Sequence, residues 1–212
     1  MCTAAAARSR RSASHGSRVS SLQASKQAAN DSRWGDSITK QALTLLQSAG
    51  AEAIDHPGGT LLAHLQRVST LLTSWRARPV LVSAGLCHAF YGTDGFALTL
   101  LDLDQRAVLA NAIGEEAEDL VYLYASCDRK ASYRSLAEPD GKFVDRFTGE
   151  QTRPTIEQRQ DFAELTAANE LDIAAISPQM REEYGPYLLD LFTRWRPLLS
   201  EHAWEHTNDI LC

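Results

Sequence analysis

Two histidines, His64 and His88, lie on consecutive stretches of sequence that have helical periodicity. His64 follows Leu61 by three residues and precedes Val68 by four, so it shares their apolar helix face. His88 falls four residues after Ala84, on the inward face of the next helix. Neutral imidazole is the commonest metal ligand, so two inward rings on adjacent helices could together hold a metal ion. The alternative is that each is a core histidine, hydrogen-bonded to a carbonyl or a carboxylate.

Further polar residues flank these two helices. His56 precedes a Pro-Gly-Gly loop, where it is either a third metal ligand or substrate contact, or an exposed loop histidine. After the second helix, Tyr91 and Thr93 supply a phenol and a hydroxyl, and Asp94 follows directly. A turn there would place these groups over the histidine pocket as catalytic residues. The alternative is that Asp94 and the glycine after it serve only to form the turn.

Helices account for most of the chain that positions these residues. Thr60 is a typical N-cap for the helix of the first histidine, and Pro79 and Pro154 stand at favoured first-turn positions of two later helices. A Pro-Asp-Gly stretch at 139–141 lies between short alternating runs, which predicts the turn of a small β-hairpin or an ordered loop. We therefore expect an all-α domain with one small insertion.

The order of these residues resembles that of the HD superfamily of metal-dependent hydrolases. That superfamily places one histidine on an early helix, a His-Asp pair on the next, and an aspartate on a later one. The chain is most similar to an uncharacterised HD-like family with the patterns H-x-G-x-x-L-x-x-H-L and A-G-L-x-H-(S/A)-x-Y-G-T, which here read HPGGTLLAHL and AGLCHAFYGT. It resembles the hydrolase domain of (p)ppGpp enzymes more distantly. The resemblance covers roughly 38–175 and implies an HD-like helical bundle.

The resemblance also implies a divalent metal, Fe, Mn or Zn, and a set of ligands for it. His64 and His88 correspond to the two histidine ligands of the superfamily. Asn169 falls where the superfamily carries its last aspartate, and Asp172 lies one helical turn further on. With His56, these residues form the predicted metal-ligand set.

Besides Asn169, the chain departs from the HD pattern at three positions. Ala89 stands where the metal-binding aspartate should be, and Gly92 and Thr93 stand where an acidic pair would orient the attacking water. The remaining ligand set is poor in carboxylates, whereas divalent metals in such sites normally gain much of their affinity from carboxylate charge. The pyrophosphohydrolase chemistry of the (p)ppGpp subtype is therefore not transferable.

Two functional hypotheses follow. The first is a metal-dependent enzyme, a hydrolase or an oxygenase, acting on a small substrate. Arg146 and Arg153 on the insertion would suit an anionic substrate, since arginine binds phosphate and carboxylate in a bidentate way. The second is a degenerate, non-catalytic HD-like module that binds a small ligand or a protein, which Ala89 in place of the aspartate favours.

Composition divides the chain of 212 residues into a tail and a body. Residues 1–30 contain five basic and no acidic side chains, which leaves 16 basic and 27 acidic residues in the rest. So acidic a body argues against nucleic-acid binding, which needs a basic surface. No apolar run approaches the roughly 18 residues of a membrane span. The four scattered cysteines indicate a reducing compartment.

We predict a tail over 1–34 and a single HD-like helical domain over 35–212. The tail is rich in Ala and Ser and almost free of large apolar residues, which is typical of disorder. A basic, serine-rich, acid-free segment is equally typical of an organelle transit peptide. The expected location is therefore the cytoplasm, or a plastid or mitochondrion if the tail is such a peptide.

Overall fold

The fold is that of a computed structural model, which describes Gly35 and 37–212. The chain divides into two compact units, Met1–Ser37 and Ile38–Cys212, and the second unit carries all the residues discussed below. The predicted tail over 1–34 lies outside the described residues.

Helices dominate the described part of the chain. Their bounds are α1 (37–48), α2 (Leu61–Ser74), α3 (Pro79–Cys87), α4 (Arg106–Ile113), α5 (Glu115–Ser126), α6 (Arg129–Ser132), α7 (Ile156–Ile176), α8 (Pro178–Arg194) and α9 (Glu201–Leu211). Short 3-10 turns occupy Ala51–Ala53, Leu103–Gln105 and Arg196–Leu198. Among the described residues, no helix is both long and apolar enough to cross a membrane.

Two small antiparallel hairpins interrupt the helices. β1 (Asp55–His56) pairs with β2 (Gly59–Thr60), and β3 (Phe143–Val144) pairs with β4 (Gln151–Thr152). The prediction of an all-α helical bundle with a small β insertion is confirmed. Of the two alternatives for 139–141, a hairpin turn or an ordered loop, the structure shows the loop, since this stretch precedes β3 and the hairpin reverses after Asp145. The Asp145 carboxylate fixes that turn by accepting from the backbone N–H groups of Phe147 and Thr148.

Helix α7 is the centre of the bundle. It packs against α2, α3, α5, α8 and α9, and most of its residues are buried on all sides. Its first turn is closed by Thr155, whose hydroxyl accepts from the Gln158 N–H while the Gln158 side chain returns to the Thr155 N–H. Pro154 therefore precedes the N-cap and lies two positions before the first helical residue, Ile156, so its predicted first-turn position is wrong. The core around α7 is apolar, as a central helix requires.

Close packing of α2 on α3 brings the two predicted histidine helices together. Thr60 caps α2 as predicted, its hydroxyl accepting from the Ala63 N–H at 3.2 Å. On α3, a Cβ added at Gly85 would lie 2.4 Å from a methyl carbon of Leu72, so only glycine permits this approach. His64 and His88 consequently face each other, with their ring centroids 5.4 Å apart.

Candidate ligand-binding site

A cavity of about 540 Å³ opens where β1, the end of α3, α7 and α8 meet. One side of it is polar and is contributed by His56, His64, His88, Arg129, Asn169 and Glu170. The other side is largely apolar and is contributed by Ile173, Met180, Tyr184, Tyr187, Leu188 and Leu191. A concave, mostly apolar site with a few converging polar groups is the usual form of a small-molecule pocket.

His64 is held on both sides by residues of α7. Its Nδ1 lies 2.7 Å from Oδ2 of Asp172, and its Nε2 lies 3.0 Å from Oδ1 of Asn169. Arg67 donates to both oxygens of the same carboxylate, at 2.8 and 3.0 Å. Burial opposes ionisation of Asp172, but hydrogen bonds from His64 and Arg67 outweigh it and lower the pKa of that carboxyl. Nδ1 of His64 is therefore the donor to a carboxylate.

The amide of Asn169 determines what the other nitrogen of His64 does. Its Nδ2 donates to Glu170 Oε1 at 3.3 Å, and the same oxygen accepts from Arg129 Nη1 at 3.0 Å. In this network the amide oxygen of Asn169 lies on the His64 side. Each ring nitrogen of His64 therefore faces a side-chain oxygen, Nδ1 that of Asp172 and Nε2 that of Asn169.

The other two histidines are uncharged. Nδ1 of His88 donates to the Gly85 carbonyl at 2.8 Å, which leaves Nε2 as the nitrogen with a lone pair. Burial, with the nearby His64, lowers the pKa of His88 to about 3. His56 stacks on His64 with ring centroids 4.1 Å apart, and burial followed by the same neighbour lowers its pKa to about 4. At neutral pH both rings act as hydrogen-bonding groups without charge.

The structure brings the five predicted metal ligands together, but their donor atoms do not fit a divalent cation. Within the part of the chain that the structure describes, no group of three or more His, Cys, Asp or Glu side chains is placed to hold a metal ion. Both oxygens of Asp172 and both nitrogens of His64 are already hydrogen-bonded. The rings of His56 and His64 are stacked, which directs their nitrogens along nearly parallel planes. Ala89 lines the cavity and offers no donor atom.

Of the three predicted catalytic residues, the structure places only Thr93 on the cavity wall. Tyr91 is buried, its hydroxyl donates to Glu118 at 2.8 Å, and neither residue belongs to the cavity lining. Asp94 accepts from the backbone N–H of Arg129 at 2.9 Å and so anchors the start of α6. The YGTDGF stretch therefore forms the turn that closes this end of the cavity.

Sequence reasoning missed Tyr133, Glu170 and the α8 wall, and for the charged pair Asp128–Arg129 it favoured a solvent-exposed cap. Arg129 follows the helix cap Asp128, a position typical of a solvated side chain, yet it reaches into the cavity. Glu170 is adjacent to the predicted Asn169 and gave no separate signal. Tyr184 and Tyr187 are exposed and three residues apart on one helix, a pairing that could have indicated the cavity mouth.

Buried polar atoms without a hydrogen-bond partner gather at this cavity. Among the described residues five such side-chain atoms occur, and three belong to the cavity wall or to residues packed against it: His56 Nδ1, Tyr133 Oη and Tyr124 Oη. His56 and Tyr133 line the cavity, and the Tyr124 ring contacts His88 edge-on with centroids 5.3 Å apart. Buried polar groups in folded proteins are nearly always paired, so three unpaired atoms close to one cavity distinguish it from the rest of the described core.

Comparison with family models finds one similarity, to a family described as "Domain of unknown function (DUF6817)", over 45–129. The matched stretch contains His56, His64 and His88 and ends at Arg129, and it does not include Asn169 or the rest of α7. Neither the curated proteins nor the solved structures include a match to this chain.

Proposed function

We propose that this domain is a non-catalytic, HD-like module that binds a small molecule in the cavity between α7 and α8. The observation that carries the proposal is the group of unpaired buried polar atoms. Leaving a buried donor or acceptor unpaired costs about 1–3 kcal/mol, which a ligand regains when it supplies the missing hydrogen bond. Two of these atoms belong to His56 and Tyr133, which both line the cavity.

The dimensions of the cavity support the same proposal. Its volume of about 540 Å³ falls inside the range of roughly 300–1,000 Å³ that small-molecule sites occupy. Met180, Leu188 and Leu191 supply an apolar wall, and the exposed rings of Tyr184 and Tyr187 extend it to the mouth. Aromatic side chains at a rim bury much ligand surface at low entropic cost.

A metal-dependent hydrolase or oxygenase is the second candidate. One observation favours it: His64 and His88 each direct Nδ1–H to an oxygen, which is how metal-bound histidines are usually oriented. Against it stand the hydrogen-bond partners at both nitrogens of His64, the pairing of Asp172 with Arg67, and Ala89 at the aspartate position. The binding module therefore agrees better with the geometry.

Dansylamide is a suitable probe for the cavity, because it joins a naphthalene body to an uncharged head and fluoresces more strongly in apolar surroundings. At about 0.3 kcal/mol for each of about 17 heavy atoms, we expect about 5 kcal/mol of binding free energy, or a Kd of about 0.2 mM. A fluorescence titration should give saturable binding at one site per chain. Failure to saturate well above that concentration would overturn the proposal.

A matched pair of variants on α7 locates the site. Ile173 lines the cavity, so Ile173→Trp should fill part of it and abolish dansylamide binding. Ile156 is exposed near the other end of α7, so Ile156→Trp should leave the titration unchanged. Circular dichroism checks that both variants are folded. Equal binding by both variants would place the probe elsewhere and refute the assignment of the site.

Elemental analysis of the purified protein separates the two candidates. The binding module predicts that dansylamide binds equally well before and after dialysis against a chelator. Near-stoichiometric Fe, Mn or Zn that disappears in His64→Ala and His88→Ala would instead support the enzyme.

A further inference from the structure

The charged side chains around the cavity, apart from Asp55, are paired. Arg129 Nη1 donates to Glu170 at 3.0 Å, and Arg67 and His64 both bond to Asp172. Asp172 is buried, whereas Arg129, Glu170 and Arg67 are partly buried. Removing a charge from water is expensive unless it is paired, so each pair offsets the desolvation of its members. A ligand entering the cavity therefore meets no unpaired cation and no unpaired carboxylate among these residues.

The one remaining charge on the lining is Asp55, at the exposed end of β1. Its carboxylate lies in solvent, where charge interactions are weak, and its sign opposes an anionic ligand. The basic residues of the insertion do not compensate. Arg146 donates to the Ala125 carbonyl and packs on Phe147, and Arg153 pairs with Asp140 in solvent. Neither arginine lines the cavity.

The uncharged polar groups of the cavity supply both kinds of hydrogen bond. His88 is buried, its Nδ1 is bonded to a carbonyl, and its side chain also lies within hydrogen-bonding contact of Asn169. Tyr133 has a buried hydroxyl without a partner, which can donate or accept. Facing them across the cavity are Met180 and Leu188 of α8, which can contact only apolar atoms.

From this juxtaposition we infer that the cavity selects an uncharged amphipathic molecule, with an apolar body and a head that carries both a hydrogen-bond donor and an acceptor, such as an amide or a hydroxy-carbonyl group. The head lies against His88 and Tyr133, and the body lies along α8. This inference rests on the proposed function and adds the chemical class of the ligand.

Three dansyl probes with the same body test the class. Dansylamide is neutral, dansylglycine is anionic and dansylcadaverine is cationic at pH 7.5. We expect dansylamide to bind at least about tenfold more tightly than either charged probe, because a charged head would be buried without a partner. If dansylamide fails to bind, the proposed function itself fails. If it binds but a charged probe binds equally well or better, only the inference of a neutral ligand is wrong.

A variant that breaks one ion pair should reverse the preference. Glu170→Gln leaves Arg129 without its carboxylate, so dansylglycine should bind at least about fivefold more tightly than it binds the wild type. Asp190→Asn is the control, since it removes an exposed ion pair with Arg194 on α8 and should leave the order of the three probes as it is. Urea unfolding checks that both variants are folded. An unchanged affinity of Glu170→Gln for dansylglycine would show that the pairing of Arg129 does not exclude anions, and would overturn the inference.

Discussion

Two buried tyrosines, Tyr91 and Tyr133, should respond in opposite directions to the same substitution. Their exposed fractions are 1% and 6%, so both are removed from solvent. The Tyr91 hydroxyl donates to Glu118 at 2.8 Å, whereas the Tyr133 hydroxyl has no partner among the described residues. Substitution by phenylalanine removes only the hydroxyl in each case, and the contact of the Tyr133 ring with Trp195 at 4.8 Å is retained.

The expected magnitudes follow from the hydrogen bonds. Tyr91→Phe loses a bond to an ionised acceptor, for which a typical value is about 1.5–3 kcal/mol. The lower end applies, because Glu118 keeps its two bonds from Arg106. Tyr133→Phe removes a hydroxyl that is buried unpaired, so we expect the unligated protein to gain about 1 kcal/mol.

Urea unfolding of the unligated variants at pH 7.5 measures both changes. With a slope of about 2 kcal/mol per molar urea, the midpoint should fall by about 0.7 M in Tyr91→Phe and rise by about 0.5 M in Tyr133→Phe. The same Tyr133→Phe protein should bind dansylamide about fivefold more weakly, because the ligand loses the hydrogen bond that the hydroxyl supplies.

A loss of stability in Tyr133→Phe comparable to that in Tyr91→Phe would refute the reasoning. It would mean that the Tyr133 hydroxyl has a partner in the unligated protein, so that the cavity does not contain the unpaired group on which the proposed function depends. A gain in stability with unchanged dansylamide affinity would place the probe away from this hydroxyl.

Three further changes have expected outcomes. Burial lowers the pKa of His88 to about 3, so as the pH falls below 6.5 the unfolded chain takes up a proton at this residue before the folded chain does. The His88 contribution should therefore lower the free energy of unfolding by about 2 kcal/mol between pH 7 and pH 5. Urea unfolding at both pH values should show that this contribution is lost in His88→Gln and kept in the exposed His202→Gln. An identical decrease in the wild type and both variants would contradict the prediction. Gly85→Ala should cost about 1–3 kcal/mol by thermal unfolding, since its methyl group would overlap Leu72, and a neutral effect would contradict the close packing of α2 on α3. Asp172→Asn should cost about 3 kcal/mol in urea, because Arg67 and His64 both lose the carboxylate that they bond, and a stable variant would show that these bonds contribute little.

Periodicity was sufficient to predict the inward histidines. His64 and His88 lie at helical spacing from apolar residues that are buried in the structure, and Thr60 caps α2 at the predicted position. Such signals are local, because a helix face and a cap are determined by residues within a few positions of each other. For this reason the helical fold could be predicted from the sequence.

The partners of these histidines could not be predicted by local reasoning. Asn169 and Asp172 contact His64 across more than a hundred residues, and only the HD resemblance placed them near it. Arg129 follows a helix cap, and its sequence neighbours do not indicate that it pairs with Glu170 of α7. Ionisation and ion pairing depend on such distant contacts, so the charge of the cavity was accessible only from the structure.

Helix α7 determines what the cavity can hold. Asn169, Glu170 and Asp172 lie within one helical turn and present an amide and two carboxylates toward the histidines, a set that would suit a cation if its oxygens were free. Arg129 neutralises one carboxylate, and Arg67 neutralises the other, which also bonds to His64. The same three positions could therefore serve a metal site or a neutral pocket, depending on which arginines accompany them. The class of ligand thus follows from these two arginines rather than from the conspicuous histidines.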